Sequence, residues 1–148
     1  MSEYLAYTLD KFTFKVAADR LYNAAGVWAK VEGDQVTLGV SDFFQQRNGD
    51  VAFAEVLEVG TAVTANDGFA TIETIKVDVE LPCPVSGTIS EVNETLELEA
   101  EVINQDPYGT GWLARLEAVD WTAGQANLLT PEAYLEQMKA EAEEETDL

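Results

Sequence analysis

The chain contains no histidine, a single cysteine, and eight lysines and arginines against 28 aspartates and glutamates. Without histidine there can be no Ser-His-Asp triad, Cys-His dyad, histidine general base or histidine metal ligand. No Walker A sequence is present, and the "GTG" at Gly109 to Gly111 is too slight for a dinucleotide fingerprint. The lone Cys83 cannot form an internal disulfide, which fits a reducing compartment. Flanked by Pro82 and Pro84, it reads as a packed structural thiol and not as a redox partner. Carboxylates are so plentiful that no pair stands out as a glycosidase couple. The expectation is a protein without intrinsic catalytic or metal-binding residues, one that takes part in chemistry by borrowing a reactive group.

Scarcity of positive charge excludes further classes. A formal net charge of −20 leaves no basic footprint for nucleic acid and disfavours docking on anionic membranes. Two readings of the acidic surface stand side by side. It can attract a partner with a basic groove, or it can serve as a coat that keeps the protein soluble in a salty cytoplasm. Long apolar runs are also missing: nothing in the sequence is long enough to span a bilayer, and Met1 to Asp10 lacks the pattern of a signal peptide. A soluble cytoplasmic domain is expected, with a monomer as the default for a diffusing protein.

Apolar residues make up 47% of the 148 residues, which is enough for a real core. The alternation Phe12, Phe14, Val16 predicts a short strand, and "AADRLYNAA" is open to a helical turn or a loop. "VWAKVEGDQVTLGV" predicts two strands around a turn at Gly33-Asp34. Ser41 is a candidate N-cap for a short helix that closes at Asn48-Gly49, and "VAFAEVLEVG" predicts a strand ending at Gly60. Short apolar runs then follow, punctuated by Asn66-Asp67-Gly68, Pro82, Pro84 and Ser86-Gly87. This rhythm points to a β-sandwich or barrel, not to alternating β-α units. "NQDPYGTGWLARL" predicts a turn leading into a strand. Thr130-Pro131 opens a final helix with Tyr134, Leu135 and Met138 on one face. The terminal "EAEEETDL" reads as a frayed, solvated tail and not as a metal site.

Lys76 stands out because it is the only lysine between Lys30 and Lys139. In "GFATIETIKVDVELP", Phe69, Thr71, Glu73 and Ile75 alternate with Ala70, Ile72, Thr74 and Lys76. That pattern predicts a tight turn between two strands, with Lys76 projected and the flanking residues packed inward. A lysine that receives an acyl cofactor needs such a place, where a ligase can reach its amine. Spacing alone does not separate this from an ordinary exposed lysine among acids.

From Tyr22 to about Leu116 the sequence resembles the H protein of the glycine cleavage system. The resemblance rests on "VSDFFQQRNGDVAFAEV", "VGTAVTANDGFATIETIK", "CPVSGTISEVNETL" and "INQDPYGTGWL". The family's Glu-Ser-Val-Lys appears as Glu73-Thr74-Ile75-Lys76, and its Asn-x-Asp-Pro-Tyr-Gly-x-Gly-Trp signature runs from Asn104 to Trp112. The resemblance implies a mainly β, barrel-sandwich hybrid fold of the lipoyl/biotinyl-carrier kind. In such a fold a lysine sits on a hairpin turn, with short helices and a C-terminal α-helix around it. It divides the chain into an N-terminal extension over residues 1–21, the H-protein-like domain over 22–129, and a C-terminal helix with acidic tail over 130–148. It also implies lipoate in amide linkage to Lys76, with Glu73 part of the attachment motif. The implied role is a non-enzymatic carrier that receives lipoate from a lipoate ligase or other lipoylation enzymes and shelters its loaded, neutral arm in a surface cleft.

Three departures from the family pattern set the expectation of what is carried. The histidine of Tyr-x-x-x-His-x-Trp is Gly26 here, Ala-Ala-Ser-Asp after the lysine becomes Val77-Asp78-Val79-Glu80, and the N-terminal extension is longer than usual. These departures resemble the lipoate-binding proteins of heterodisulfide-reductase-like sulfur oxidation, so sulfur intermediates and a heterodisulfide-reductase-like complex are the first expectation. The alternative is a glycine cleavage H protein that carries the aminomethyl group from glycine decarboxylase to aminomethyltransferase, with the P, T and L proteins as partners. An unmodified binding or regulatory β-domain is the reading from another class.

Overall fold

Alternating apolar residues and well-placed turns generate three sheets in the computed structural model, which describes residues 3–146. The first is a hairpin of β1 (Tyr4–Leu9) and β2 (Phe12–Ala17). Its turn places Asp10 at positive φ, a conformation that aspartate tolerates better than most residues. The short strand β3 (Leu21–Tyr22) precedes β4 (Val27–Glu32) and β5 (Gln35–Val40), which pair around Gly33-Asp34 as the sequence predicts. Ser41 caps α1 (Asp42–Asn48): its hydroxyl accepts from the Phe44 amide at 3.1 Å, a contact worth about 1 kcal/mol. Gly49, at φ 85°, closes that helix.

Strands β6 (Val51–Val56) and β7 (Ala62–Val63) come next, followed by β8 (Gly68–Thr74), β9 (Asp78–Pro82) and β10 (Gly87–Val92). After the 3-10 turn Glu94–Glu97 lie α2 (Val102–Gln105), β11 (Ala114–Ala118), α3 (Trp121–Gly124) and α4 (Pro131–Thr146). A six-stranded sheet has the order β3-β4-β5-β11-β10-β7, and a three-stranded sheet has the order β6-β8-β9. The main core lies between these two sheets, where Leu38, Ile89 and Leu116 meet Phe69, Ile72 and Leu81, all excluded from water. This is the mainly β barrel-sandwich that the sequence leads one to expect.

A second core joins the first hairpin to the helices. Phe14 and Val16 meet Phe43 of α1 and Tyr134, Met138 and Ala142 of α4. The Tyr22 and Tyr134 rings stack at 4.5 Å within it. The expected N-cap of α4 forms, with Thr130 Oγ1 accepting from the Ala133 amide at 3.1 Å.

Two expectations need correction. The strand beginning at Val51 ends at Val56 and not at Gly60, because the chain turns through Glu58–Thr61 with Gly60 at φ 93°. The acidic tail does not fray at Glu141: α4 continues to Thr146, because Ala142 is buried and Glu143 accepts from the Tyr7 hydroxyl at 2.8 Å. Asp147 and Leu148 lie outside the described residues. The open segment "AADRLYNAA" is neither fully loop nor helix, since Leu21 and Tyr22 add a short strand to the six-stranded sheet. No helix among the described residues is long and apolar enough to cross a membrane.

Buried ionisable groups give the fold an alkaline limit. Cys83 is enclosed, its thiol donates to the Val85 carbonyl at 3.1 Å, and burial pushes its pKa from 9.0 to about 11. Enclosure of the Tyr108 hydroxyl pushes it to about 12, and burial raises Tyr22 and Tyr134 as well. A folded pKa above the unfolded value means that the neutral form stabilises the fold. That stability is fully present below about pH 9 and is lost as the pH climbs through 11. Denaturant midpoints are therefore expected to hold steady up to about pH 9 and to fall above it, while the Cys83 thiol resists alkylation until the protein unfolds.

Candidate functional site

Strands β8 and β9 form a hairpin in which Glu73 pairs with Asp78. Thr74 then ties the turn: its amide donates to the Val77 carbonyl at 2.9 Å, and its hydroxyl donates to the same carbonyl at 3.0 Å. The hydroxyl also accepts from the amides of Lys76 at 3.2 Å and Val77 at 3.0 Å. The side chain thus does work that a backbone carbonyl does in many turns, so the apex needs no residue at positive φ. Ile75 and Lys76 form the tip. A bond from the Ile75 amide to the Asp50 carbonyl anchors it to the segment between α1 and β6.

Lys76 is exposed, as predicted, but its neighbours are not packed inward. Ile75 is 77% exposed and Val77 is 45% exposed. Both belong to the turn, beyond the last rungs of the ladder, where no facing sheet is available to cover them. The lysine stem lies alongside Gly49, and its Nζ makes a long 3.4 Å contact with the Arg47 carbonyl at the end of α1. No carboxylate among the described residues pairs with Lys76, and neither Glu73 nor Asp78 bonds to it. Lys76 is therefore a presented amine with few obligations to the fold, which suits an acyl attachment point. Glu73 stands three residues earlier on β8, near the lysine in sequence and unconnected to it by any bond.

The signature from Asn104 to Trp112 supports this tip from below, a role that the sequence did not disclose. Asn104 lies in α2 and not in the predicted turn, and its Oδ1 accepts from the Val51 amide at 2.9 Å. Its Nδ2 donates to the Gly49 carbonyl at 3.0 Å and to Gln45 at 3.2 Å. One side chain thus clips the end of α1 to the start of β6, on both sides of Asp50. Asn104→Ala leaves the Val51 amide and the Gly49 carbonyl unpaired. It should lower stability in a denaturant titration by about 2 kcal/mol.

The departures from the family pattern also have local causes. Gly26 sits at φ 89°, and a Cβ there would come within 3.0 Å of the Tyr134 hydroxyl and 3.3 Å of Ser41 Oγ. Those two oxygens share a 2.7 Å hydrogen bond that locks α4 onto the start of α1. Tyr134 thus fills the space that a larger residue at position 26 would need. In the changed segment, Glu80 folds over Gly68, away from the lysine tip. Two clefts flank Phe43 and Arg47. One of about 290 Å³ is lined by Ala25, Phe44, Val79, Tyr134 and Glu141, and another of about 220 Å³ has Lys76 itself in its wall. Among the described residues no group of three or more acidic or cysteine side chains could hold a metal ion.

Fold and site together define a class: a barrel-sandwich carrier domain that presents a lysine at the apex of a hairpin. Residues 20–141 match the glycine cleavage H-protein family, and the chain belongs to it. It is 41% identical over 127 residues to the glycine cleavage system H protein of Rubrobacter xylanophilus, covering 86% of this chain and 98% of that one. It is 39% identical to the probable glycine cleavage system H protein of Haloarcula marismortui, covering 86% and 99%. A crystal structure of a glycine cleavage system H protein from Mycobacterium marinum superposes with a TM-score of 0.75 at 31% identity, covering 82% of this chain and 98% of that one. The expected sulfur-oxidation branch finds no support in these matches, which favour the glycine cleavage alternative.

Proposed function

We propose that the chain is the H protein of a glycine cleavage system, with lipoate in amide linkage to Lys76. The observation that carries this is an exposed, carboxylate-free lysine held at a side-chain-tied hairpin tip, in a chain of this family. The residues present fit the group. The turn exposes Nζ to a lipoylation enzyme, and Glu73 offers such an enzyme a carboxylate three residues away. When bound, lipoate supplies a dithiolane that takes up a one-carbon amine fragment from one enzyme and yields it to the next.

The chain itself contributes position and charge. Thr74 and Asp50 hold the tip, so that motion is confined to the arm beyond the Lys76 backbone. Amide formation removes the positive charge that the carbonyls ending α1 favour, and so weakens the hold of Arg47 on the arm. The net charge of −20 draws in partners with basic grooves and speeds encounter at low salt. The partners on this reading are a lipoate ligase or other lipoylation enzyme, and the P, T and L proteins.

The test is intact mass after co-expression with a lipoate ligase, followed by reconstitution with glycine decarboxylase, aminomethyltransferase and the dihydrolipoyl dehydrogenase. Lipoylation with glycine turnover is expected. Lipoylation without turnover would remove glycine cleavage while leaving a carrier, and an unmodified Lys76 would remove the carrier.

A further inference from the structure

The main core is incompletely closed along one side. Strand β6 is the edge of the three-stranded sheet. Strand β10 pairs with β7 only at Gly87 and Thr88, so over residues 90–92 its one strand neighbour among the described residues is β11. Edges of this kind keep backbone donors and acceptors without a strand partner. Between the two edges opens a groove of about 630 Å³. Its floor is the margin of the core: Ala54, Val56 and Val92 are half-buried, Leu96 is buried, and Val59 beside them is 62% exposed. Its walls carry Glu55, Glu58, Glu91, Glu94 and Glu97, and no lysine or arginine stands in the lining. Arg115 bonds to Glu91 at 2.7 Å, whereas the other four glutamates make no ion pair among the described residues.

We propose that this groove is a docking site for an extended segment of a partner protein in which lysine or arginine alternates with aliphatic residues. The occupant follows from the lining. Open strand edges offer backbone hydrogen bonds to a chain laid along them. In an extended chain successive side chains point to opposite sides. One set can then enter the groove and cover Val56, Val59 and Val92, removing apolar surface from water on both partners. The other set stays at the mouth, where cations meet the unpaired carboxylates of Glu55, Glu58, Glu94 and Glu97. A second copy of this chain is a poor occupant, because it would bring a net charge of −20 against those same carboxylates. The rim thus guards the open edges against self-pairing and selects a basic segment. Lys76 is not in the lining, so the groove serves recognition apart from the attachment point and does not depend on whether that lysine is loaded.

The experiment titrates the isotopically labelled full chain with a short, end-blocked peptide that alternates lysine and valine, followed by nuclear magnetic resonance. Amide shifts are expected over residues 54–59 and 90–97. A peptide of the same composition with its lysines and valines in separate blocks should bind about fivefold more weakly, because it cannot fill the floor and the rim together. Replacing Glu55→Gln and Glu94→Gln together should also weaken the alternating peptide about fivefold. Both glutamates are exposed, so the melting temperature of that variant should match the unmodified chain. Equal affinity for the two peptides, or shifts spread over the whole acidic surface, would leave only diffuse charge attraction and overturn the groove. Unchanged affinity in the double variant would overturn the selection by its rim. Shifts at the same residues that depend on protein concentration without peptide would make a second copy the occupant and overturn the proposal.

Discussion

Lys76→Arg is expected to abolish lipoylation and to reduce glycine turnover in the reconstituted system to background, while the protein stays folded. Arginine keeps the positive charge and most of the stem, yet its guanidinium does not serve as the acyl acceptor that the lysine amine provides. The fold should not notice, because among the described residues the lysine contributes one 3.4 Å contact to the Arg47 carbonyl and no ion pair. A change within about 0.5 kcal/mol is expected, as for other surface positions. Intact mass reads the first effect, and thermal unfolding of the same sample reads the second. A variant that unfolds would make Lys76 a structural residue, and one that still supports turnover would place the attachment elsewhere.

Gly111→Ala should produce a large loss of stability. A Cβ at this position would lie 2.5 Å from the Val102 carbonyl oxygen, 2.8 Å from that of Asp106 and 2.9 Å from Ile103 Cα. All three are backbone atoms of α2 and its C-terminal end, so no side-chain rotation relieves the clash. The Gly111 amide also donates to the Asp106 carbonyl at 2.9 Å, which fixes its distance from the helix. Overpacking of this kind costs about 3 kcal/mol. For a domain of this size the melting temperature should then fall by about 10 °C. Gly109→Ala should cost less, because its Cβ would meet the Asp106 carboxylate, which can move after giving up its bonds to Thr110. Equal melting temperatures for Gly111→Ala and the unmodified chain would show that α2 yields. The effect should reach the lysine tip as well, because α2 carries the Asn104 clip that holds Gly49 and Val51.

Local pattern made much of this architecture legible. Alternation and Gly33-Asp34 identify the β4–β5 hairpin, the hydroxyls of Ser41 and Thr130 identify two helix starts, and the scarcity of lysine singles out Lys76. Each of these signals depends on residues a few positions apart, where backbone geometry and side-chain chemistry act directly on one another. The resemblance to the H-protein family added the barrel-sandwich and the cofactor. The same sequence, read through its departures, inclined toward sulfur oxidation, because substitutions at Gly26 and after Lys76 looked like changes in cargo. In the folded chain one of them is filled by Tyr134, and Glu80 is turned away from the tip.

What the sequence determined by itself, then, is the strand rhythm, the capped helices and a single lysine on a turn between strands. The tertiary structure decided that Ile75 and Val77 face solvent, that Asn104 clips two segments more than fifty residues away, and that Tyr134 reaches Ser41 across 93 positions. It also brought the first hairpin, α1 and α4 together around Phe43, so that a cleft opens beside Lys76. The reason is physical. A side chain's period reports which way it points from its own element, but what it meets there depends on how distant elements pack to exclude water.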